Sequence, residues 1–294
     1  MKRTVPPIDW DRVDALIEMA VQEDLGELGD VTTLAVVPPE RRAKAVLRCK
    51  EPDMIVAGQA VAKRVFARFD PLCTYTVLKP DGELCRPGDI IAEVSGSAQS
   101  LLTAERTALN FIQRLCGIAT TARKYVLALG DSATVMLDTR KTTPGYRNLE
   151  KYAVAVGGAS NHRIGLYDRA MIKDNHRELA ALEGPGGIAR SVAKIREQYP
   201  KLEIEVEADR LEEVAESADA GAEYILLDNM SDETMRKAVE LVHGRSKLEA
   251  SGGITLTRLA AIGKLGVDFV SSGALTHSVK SADISMDIIG EDGK

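Results

Sequence analysis

Between Thr139 and Arg177 the chain sets eight cations, Arg140, Lys141, Arg147, Lys151, Arg163, Arg169, Lys173 and Arg177, against three acids, Glu150, Asp168 and Asp174. His162 and His176 lie among them. The chain as a whole leans the other way, with 38 Lys and Arg against 44 Asp and Glu and a net charge of −6. A local cationic island in an acidic protein suits a compact, multiply charged small molecule, because guanidinium forks and ammonium groups hold carboxylates and phosphates in fixed geometry. Wrapping a nucleic acid would call for a broad basic face instead, so no nucleic-acid partner is expected.

Other candidate groups fall at the ends of short apolar runs. Asp138-Thr139-Arg140-Lys141 follows TVML, Lys173-Asp174-Asn175 follows AMI, and Glu207 follows LEIEV. Asp228-Asn229 follows YILL, Ser251-Gly252-Gly253 follows KLEA, and Ser272-Gly273-Ala274 follows DFVS. Chemistry at the C-terminal ends of successive strands is the arrangement of an α/β barrel, whose last two strand-end loops often hold a phosphate. Glycines there let backbone N–H groups approach an oxyanion, so the two glycine-bearing loops read as a phosphate site. No G-x-G-x-x-G stands at the first strand, which argues against a dinucleotide sheet.

The elements that must carry these groups divide the chain. From about residue 133 apolar runs alternate with helical segments, as parallel strands with crossover helices do. Upstream, IDWDRVDALIEMAVQEDL and AGQAVAKRVFARF have helical spacing, while RAKAVLRCK, CTYTVL and DIIAEVSG read as strands. AERTALNFIQRLCGIATTARKYVLAL is helical in composition, with a break expected near Gly117. The expected fold is therefore α/β: a TIM-like barrel, complete or not, over residues 116–275, with an N-terminal α+β sandwich over 1–115 joined by the tail 276–294.

At 294 residues and 45% hydrophobic content the chain can bury a sizeable core, and no run approaches the ~18 apolar residues of a membrane span. A membrane partner is not expected. The opening MKRTVPPIDWDRVD carries no apolar segment behind its basic pair, so a cytoplasmic location is expected. Cys49, Cys73, Cys85 and Cys116 are scattered without C-x-x-C pairing and read as reduced core thiols.

The stretch LDTRKTTPGYRNLEKYAVAVGGASNHRIGLYDRAMIKDNH resembles the central signature of quinolinate phosphoribosyltransferase, the decarboxylating nicotinate-nucleotide pyrophosphorylase. EDLGELGDVTT, ERTALNFIQRLCGIAT, EVEADRLEE, ILLDN, EASGGI and SSGALTHS extend the resemblance over nearly the whole chain. It implies attack of the pyridine nitrogen of quinolinate on the ribose C1 of phosphoribosyl pyrophosphate, with release of pyrophosphate and carbon dioxide, in NAD biosynthesis. By the same resemblance Arg140, His162, Arg163 and Lys173 line the dicarboxylate pocket, Thr139 is a further substrate-binding residue, and Lys141 lies nearer the pyrophosphate. Arg106 resembles an arginine that reaches into a neighbouring subunit's site, which implies a homodimer with shared sites, or a higher oligomer of dimers. Glu207, chosen over Glu205 by alignment, and Asp228 match an acidic pair that contacts the ribose hydroxyls and, indirectly, Mg²⁺ bound with substrate. Lys141, Glu207 and Asp228 are thus the expected catalytic residues, and the Ser251–Gly253 and Ser272–Ala274 loops the phosphate turns.

No organic cofactor is needed, because a ribosylated ring nitrogen can accept the electrons left by decarboxylation. Nor is a general base, since the pyridine nitrogen already carries its lone pair, so His162 reads as an anion contact. Arg147, Lys151, Arg169 and Arg177 read as surface or ion-paired side chains. The rival readings are a phosphoribosyltransferase for another heterocycle, a Schiff-base aldolase using Lys141 or Lys173, and a sugar-phosphate sensor. The sensor leaves the two carboxylates without a purpose.

Overall fold

The computed structural model describes residues 5–182 and 184–289, so Met1–Thr4 of the opening and residues 290–294 of the tail lie outside the described residues. The chain forms two compact units, one containing the chain up to Arg123, Thr143–Gly158 and the chain from Leu275, the other Lys124–Thr142 and Ala159–Ala274. The division falls at different residues from the boundary at 115/116 read in the sequence, and it places the segment 143–158 with the first unit.

The first unit begins with α1 (Trp10–Leu25) and α2 (Val31–Val36), each opened by an aspartate whose carboxylate accepts a backbone N–H three residues on, Asp9 from Arg12 at 3.3 Å and Asp30 from Thr33 at 2.9 Å. Then follow β1 (Arg42–Cys49), β2 (Met54–Ile55), α3 (Gln59–Phe69), β3 (Thr74–Val77), β4 (Leu84–Cys85), β5 (Ile90–Ser97) and α4 (Ala98–Ala128), whose last residues belong to the second unit. It also contains α5 (Arg147–Val156) and β12 (Ile284–Ile289). Strands β12, β1, β5 and β3 make an antiparallel sheet in that order, and β2 pairs with β4.

Helix α4 is continuous through Gly117, contrary to the expected break. A side chain at Gly117 would collide with the Lys280 carbonyl, so the glycine serves close approach of the returning chain, not termination. Cys49, Cys85 and Cys116 are buried and Cys73 half-buried, all unpaired. No described helix is long and apolar enough to cross a membrane.

The second unit holds all six strands read from the apolar runs: β6 (Val135–Leu137), β7 (Ala170–Ile172), β8 (Ile204–Ala208), β9 (Tyr224–Asp228), β10 (Lys247–Ser251) and β11 (Phe269–Ser271). Between them run α6 (Asp174–Leu179), α7 (Gly187–Gln198), α8 (Leu211–Asp219), α9 (Asp232–Val242) and α10 (Leu259–Ile262); α11 (Ala274–His277) follows β11 and, after its first residue, belongs to the first unit. The strands are parallel in the order β6-β11-β10-β9-β8-β7, the cyclic order of a barrel. The ring does not close, because β6 and β7 do not pair. Among the described residues, β6 is joined instead to the segment before β7 by a parallel bridge between Leu137 and Ser160.

Alternation along the strands sorts the side chains. Ile204, Val206, Ile225, Leu227, Leu248, Ala250 and Val270 are buried on one face, and Ile204 and Val206 pack with Ile188 and Val192 of α7. The other face carries Glu205, Glu207, Asp228, Glu249 and Ser251. A polar inner face is what makes this barrel a site.

Candidate active site

On four successive strands the inner positions form two tiers, two residues apart: Met171 then Lys173, Glu205 then Glu207, Leu226 then Asp228, and Glu249 then Ser251. At about 3.3 Å per residue the second tier stands ~6–7 Å above the first. A cavity of about 690 Å³ is lined by both tiers, Glu205 excepted, together with Thr139, Arg140, Lys141, His162 and Arg163, Asn229, Gly252 and Gly253, and Ser271. Every lining residue belongs to the second unit.

Four of the eight cations therefore converge: Arg140, Lys141, Arg163 and Lys173. The rest are engaged elsewhere, Arg177 with Glu213 at 2.9 Å and Arg169 with Glu203 and Glu205 at 3.6 Å each, its guanidinium 3.8 Å from the Tyr224 ring centre. Arg147 and Lys151 lie on α5 of the first unit. Arg163 is buried, its guanidinium donating to the Arg169 carbonyl at 2.9 Å and lying 3.5 Å from the Met171 sulfur. Burial and then the like charge of Arg140 lower its pKa, although a guanidinium stays protonated at any working pH. Two crowded guanidiniums at one wall are a standing demand for an anion.

The acidic pair lines the same cavity. Glu207 holds an ion pair with Lys173, and Asp228 accepts from the Asn229 carboxamide at 2.9 Å. Gly252 and Gly253 both have positive φ, 83° and 57°, and a side chain at Gly252 would overlap the Asn229 carboxamide. Gly252→Ala is accordingly expected to cost about 1–3 kcal/mol and to raise KM for the phosphorylated substrate, checked by thermal denaturation and initial rates.

Three of the expected site residues or loops sit as follows. Ser271, at the end of β11, lines the cavity, while Ser272, Gly273 and Ala274, in the segment beyond the strand, are not among its lining residues. Arg106 is exposed on α4 in the first unit and is absent from the lining. His162 lines the cavity, but both ring nitrogens already face protein groups: Nδ1 accepts the Arg163 N–H at 2.7 Å, while Nε2 lies 3.1 Å from Glu205 and 3.4 Å from Glu249.

Burial disfavours a charged ring at His162, but hydrogen bonds to Glu205 and Glu249 outweigh it and lift its pKa to about 9. Burial also pushes Glu249 up. Asp138, fully buried past the end of β6, accepts from the His162 backbone N–H and the Asn161 carboxamide, both at 2.8 Å, and so pins the segment beside the open seam. Sequence reasoning passed over Asp138 and Glu249 and set Glu205 aside in favour of Glu207. The available signal was two glutamates on one face of β8, Glu205 and Glu207, a pattern that a strand with a plain apolar interior would not carry.

Comparison with known proteins gives the family. Residues 30–116 match the model of the quinolinate phosphoribosyl transferase N-terminal domain, and residues 118–287 that of its C-terminal domain. The chain is 43% identical over 293 residues to the chloroplastic nicotinate-nucleotide pyrophosphorylase (carboxylating) of Arabidopsis thaliana, covering 93% of this chain and 82% of the relative. It is 45% identical over 267 residues to the probable nicotinate-nucleotide pyrophosphorylase (carboxylating) of Bacillus subtilis, covering 90% of each. Among solved structures, NadC from Streptococcus pyogenes superposes with a TM-score of 0.90 at 42% identity, covering 96% of this chain and 98% of that one. With both of its domains matched and relatives above 40% identity over more than four-fifths of their length, the chain belongs to the quinolinate phosphoribosyltransferase family.

Proposed function

We propose that the strand-end cavity seats quinolinate against Arg140, Arg163 and Lys173 and the phosphorylated ribose against Lys141, Glu207, Asp228 and the Ser251–Gly253 turn. The activity is that of the family: phosphoribosyl transfer from phosphoribosyl pyrophosphate to quinolinate with decarboxylation, giving nicotinate mononucleotide in NAD biosynthesis. The observation that carries the assignment of the cavity is the convergence of four cations with two carboxylates in one space. The cations let two anionic reactants share the cavity, replacing a bimolecular encounter by an oriented one.

As the bond from C1 to pyrophosphate breaks, positive charge grows on the ribose, and the Glu207 and Asp228 carboxylates stabilise it. The same two residues present the hard oxygen ligands that Mg²⁺ prefers. When bound with substrate, the ion would neutralise charge on the departing pyrophosphate. The ion pair with Lys173 orients Glu207 in the free protein.

Carboxyl-labelled quinolinate is expected to yield carbon dioxide and pyrophosphate in equal amounts. Pyrophosphate formed with another heterocycle while quinolinate stays inert would overturn the substrate assignment. A Schiff-base reaction is disfavoured because Lys173 is already the cation of an ion pair; borohydride should trap no adduct with a sugar phosphate.

A shared-site homodimer is part of the proposal, supported by the exposure of Arg106 on α4. Mixing Arg106→Ala with Lys141→Ala should restore activity through heterodimers that keep one intact site. A mixture no more active than its components would count against sharing. A cytoplasmic location is also proposed, supported by the four unpaired cysteines.

A further inference from the structure

Arg163 stands between two aspartates that grip its loop from either side. Upstream, the Asp138 carboxylate accepts the His162 backbone N–H and the Asn161 carboxamide, both at 2.8 Å. Downstream, the two carboxylate oxygens of Asp168 accept one backbone N–H each, from Ile164 at 2.6 Å and from Gly165 at 2.8 Å. Ile164, Leu166 and Tyr167 are exposed, so burial does little to hold the stretch that Asp168 closes. The turn is tight: a side chain at Gly165 would meet the Tyr167 ring.

The guanidinium of Arg163 reaches back across this loop. It donates to the carbonyl of Arg169, the residue after Asp168, at 2.9 Å, and lies 3.5 Å from the Met171 sulfur. That reach requires residues 163 and 169 to lie close together, and the two bonds to Asp168 fold the residues between them. A long arginine side chain otherwise spreads over many rotamers. A planar fork meets a carboxylate with both N–H groups only when it is held within about 10–20° of the right direction. Burial and then the like charge of Arg140 work against the ionised guanidinium, while the charges of Glu205 and Asp168 work for it. Asp168 is not among the residues lining the cavity, whereas Arg163 is, so any effect of Asp168 on a substrate passes through its neighbours.

We propose that Asp168 is the positioning residue of the dicarboxylate seat: by closing the loop onto the Ile164 and Gly165 amides it fixes the direction from which the Arg163 guanidinium meets quinolinate. This deepens the assignment of quinolinate to the cavity and rests on it. The fork is ordered when the chain folds, and it loses little further freedom on binding. Loosening the loop therefore weakens the seating of quinolinate and spares phosphoribosyl pyrophosphate, whose proposed place is at Lys141 and the Ser251–Gly253 turn.

Asp168→Asn keeps the size of the side chain but sets an NH₂ against one of the two backbone donors. Initial rates on the full chain with Mg²⁺, each substrate varied in turn, should show KM for quinolinate raised about 10-fold and KM for phosphoribosyl pyrophosphate within about twofold of wild type. In an Arg163→Ala background the same substitution should have no further effect, because the side chain it aims is gone. Equal rises in both KM values, an unchanged KM for quinolinate, or the same loss in both backgrounds overturns the proposal while leaving quinolinate in the cavity. An Arg163→Ala variant that itself binds quinolinate as wild type does would overturn the seat, and the proposal with it. Should Asp168→Asn not fold, amide hydrogen exchange of the ligand-free wild type decides: the Ile164 and Gly165 N–H groups should exchange about 100-fold more slowly than in an unstructured peptide. Unprotected amides there would show that no closed loop awaits the substrate.

Discussion

Arg163→Ala is expected to lower kcat/KM for quinolinate by about 100- to 1,000-fold, or about 3–4 kcal/mol. The guanidinium is buried at the cavity wall beside Arg140, and burial makes a charge-assisted contact to a carboxylate strong. Truncation also removes the hydrogen bond to the Arg169 carbonyl, so the neighbouring loop loses an anchor. Arg163→Lys separates the two effects. It keeps the charge but not the planar fork, and should recover only part of the loss. Steady-state kinetics with each substrate varied in turn provides the check: a variant within threefold of wild type would remove Arg163 from the dicarboxylate site.

Glu150→Ala should lower the unfolding free energy by about 3 kcal/mol while leaving the catalytic cavity intact. Glu150 is fully buried in α5 of the first unit, where it accepts from the Arg114 guanidinium at 2.7 Å, the Thr143 hydroxyl at 3.0 Å and the Thr143 N–H at 3.2 Å. Arg114 also donates to the carbonyls of Thr276, at 2.7 Å, and Val279, at 3.1 Å. Removing the carboxylate strands a cation that is only 23% exposed in its side chain and frees two donors at Thr143. Such a loss exceeds what deletion of an exposed pair would produce. Urea denaturation followed by circular dichroism measures it, and a change below 1 kcal/mol would show that Arg114 finds other partners at little cost.

Much of the barrel was legible because parallel strands buried on one face announce themselves as apolar runs, and the cations at their ends stand out in an acidic chain. The upper tier of the site was legible for the same reason. The lower tier was not. A buried carboxylate is intelligible only with its partners, and Glu205 and Glu249 meet His162 across 43 and 87 residues of sequence. Gly117 misled in a similar way: helix propensity sees a weak residue, whereas the Lys280 segment that needs its missing side chain lies far along the chain.

The interrupted ring has a mechanical consequence. Everywhere else along the six-stranded wall, spreading adjacent strands would break ladder hydrogen bonds, each worth about 0.5–1.5 kcal/mol. Among the described residues β6 and β7 share no ladder; the Leu137–Ser160 bridge, the Asp138 carboxylate and the hydrogen bond from Arg163 to the Arg169 carbonyl join the two sides instead. That line of the wall is therefore tied by the segment that also carries His162 and Arg163 to the cavity, so a substitution that loosens the tie should be felt in the chamber, whereas one that loosens a single ladder bond elsewhere should not.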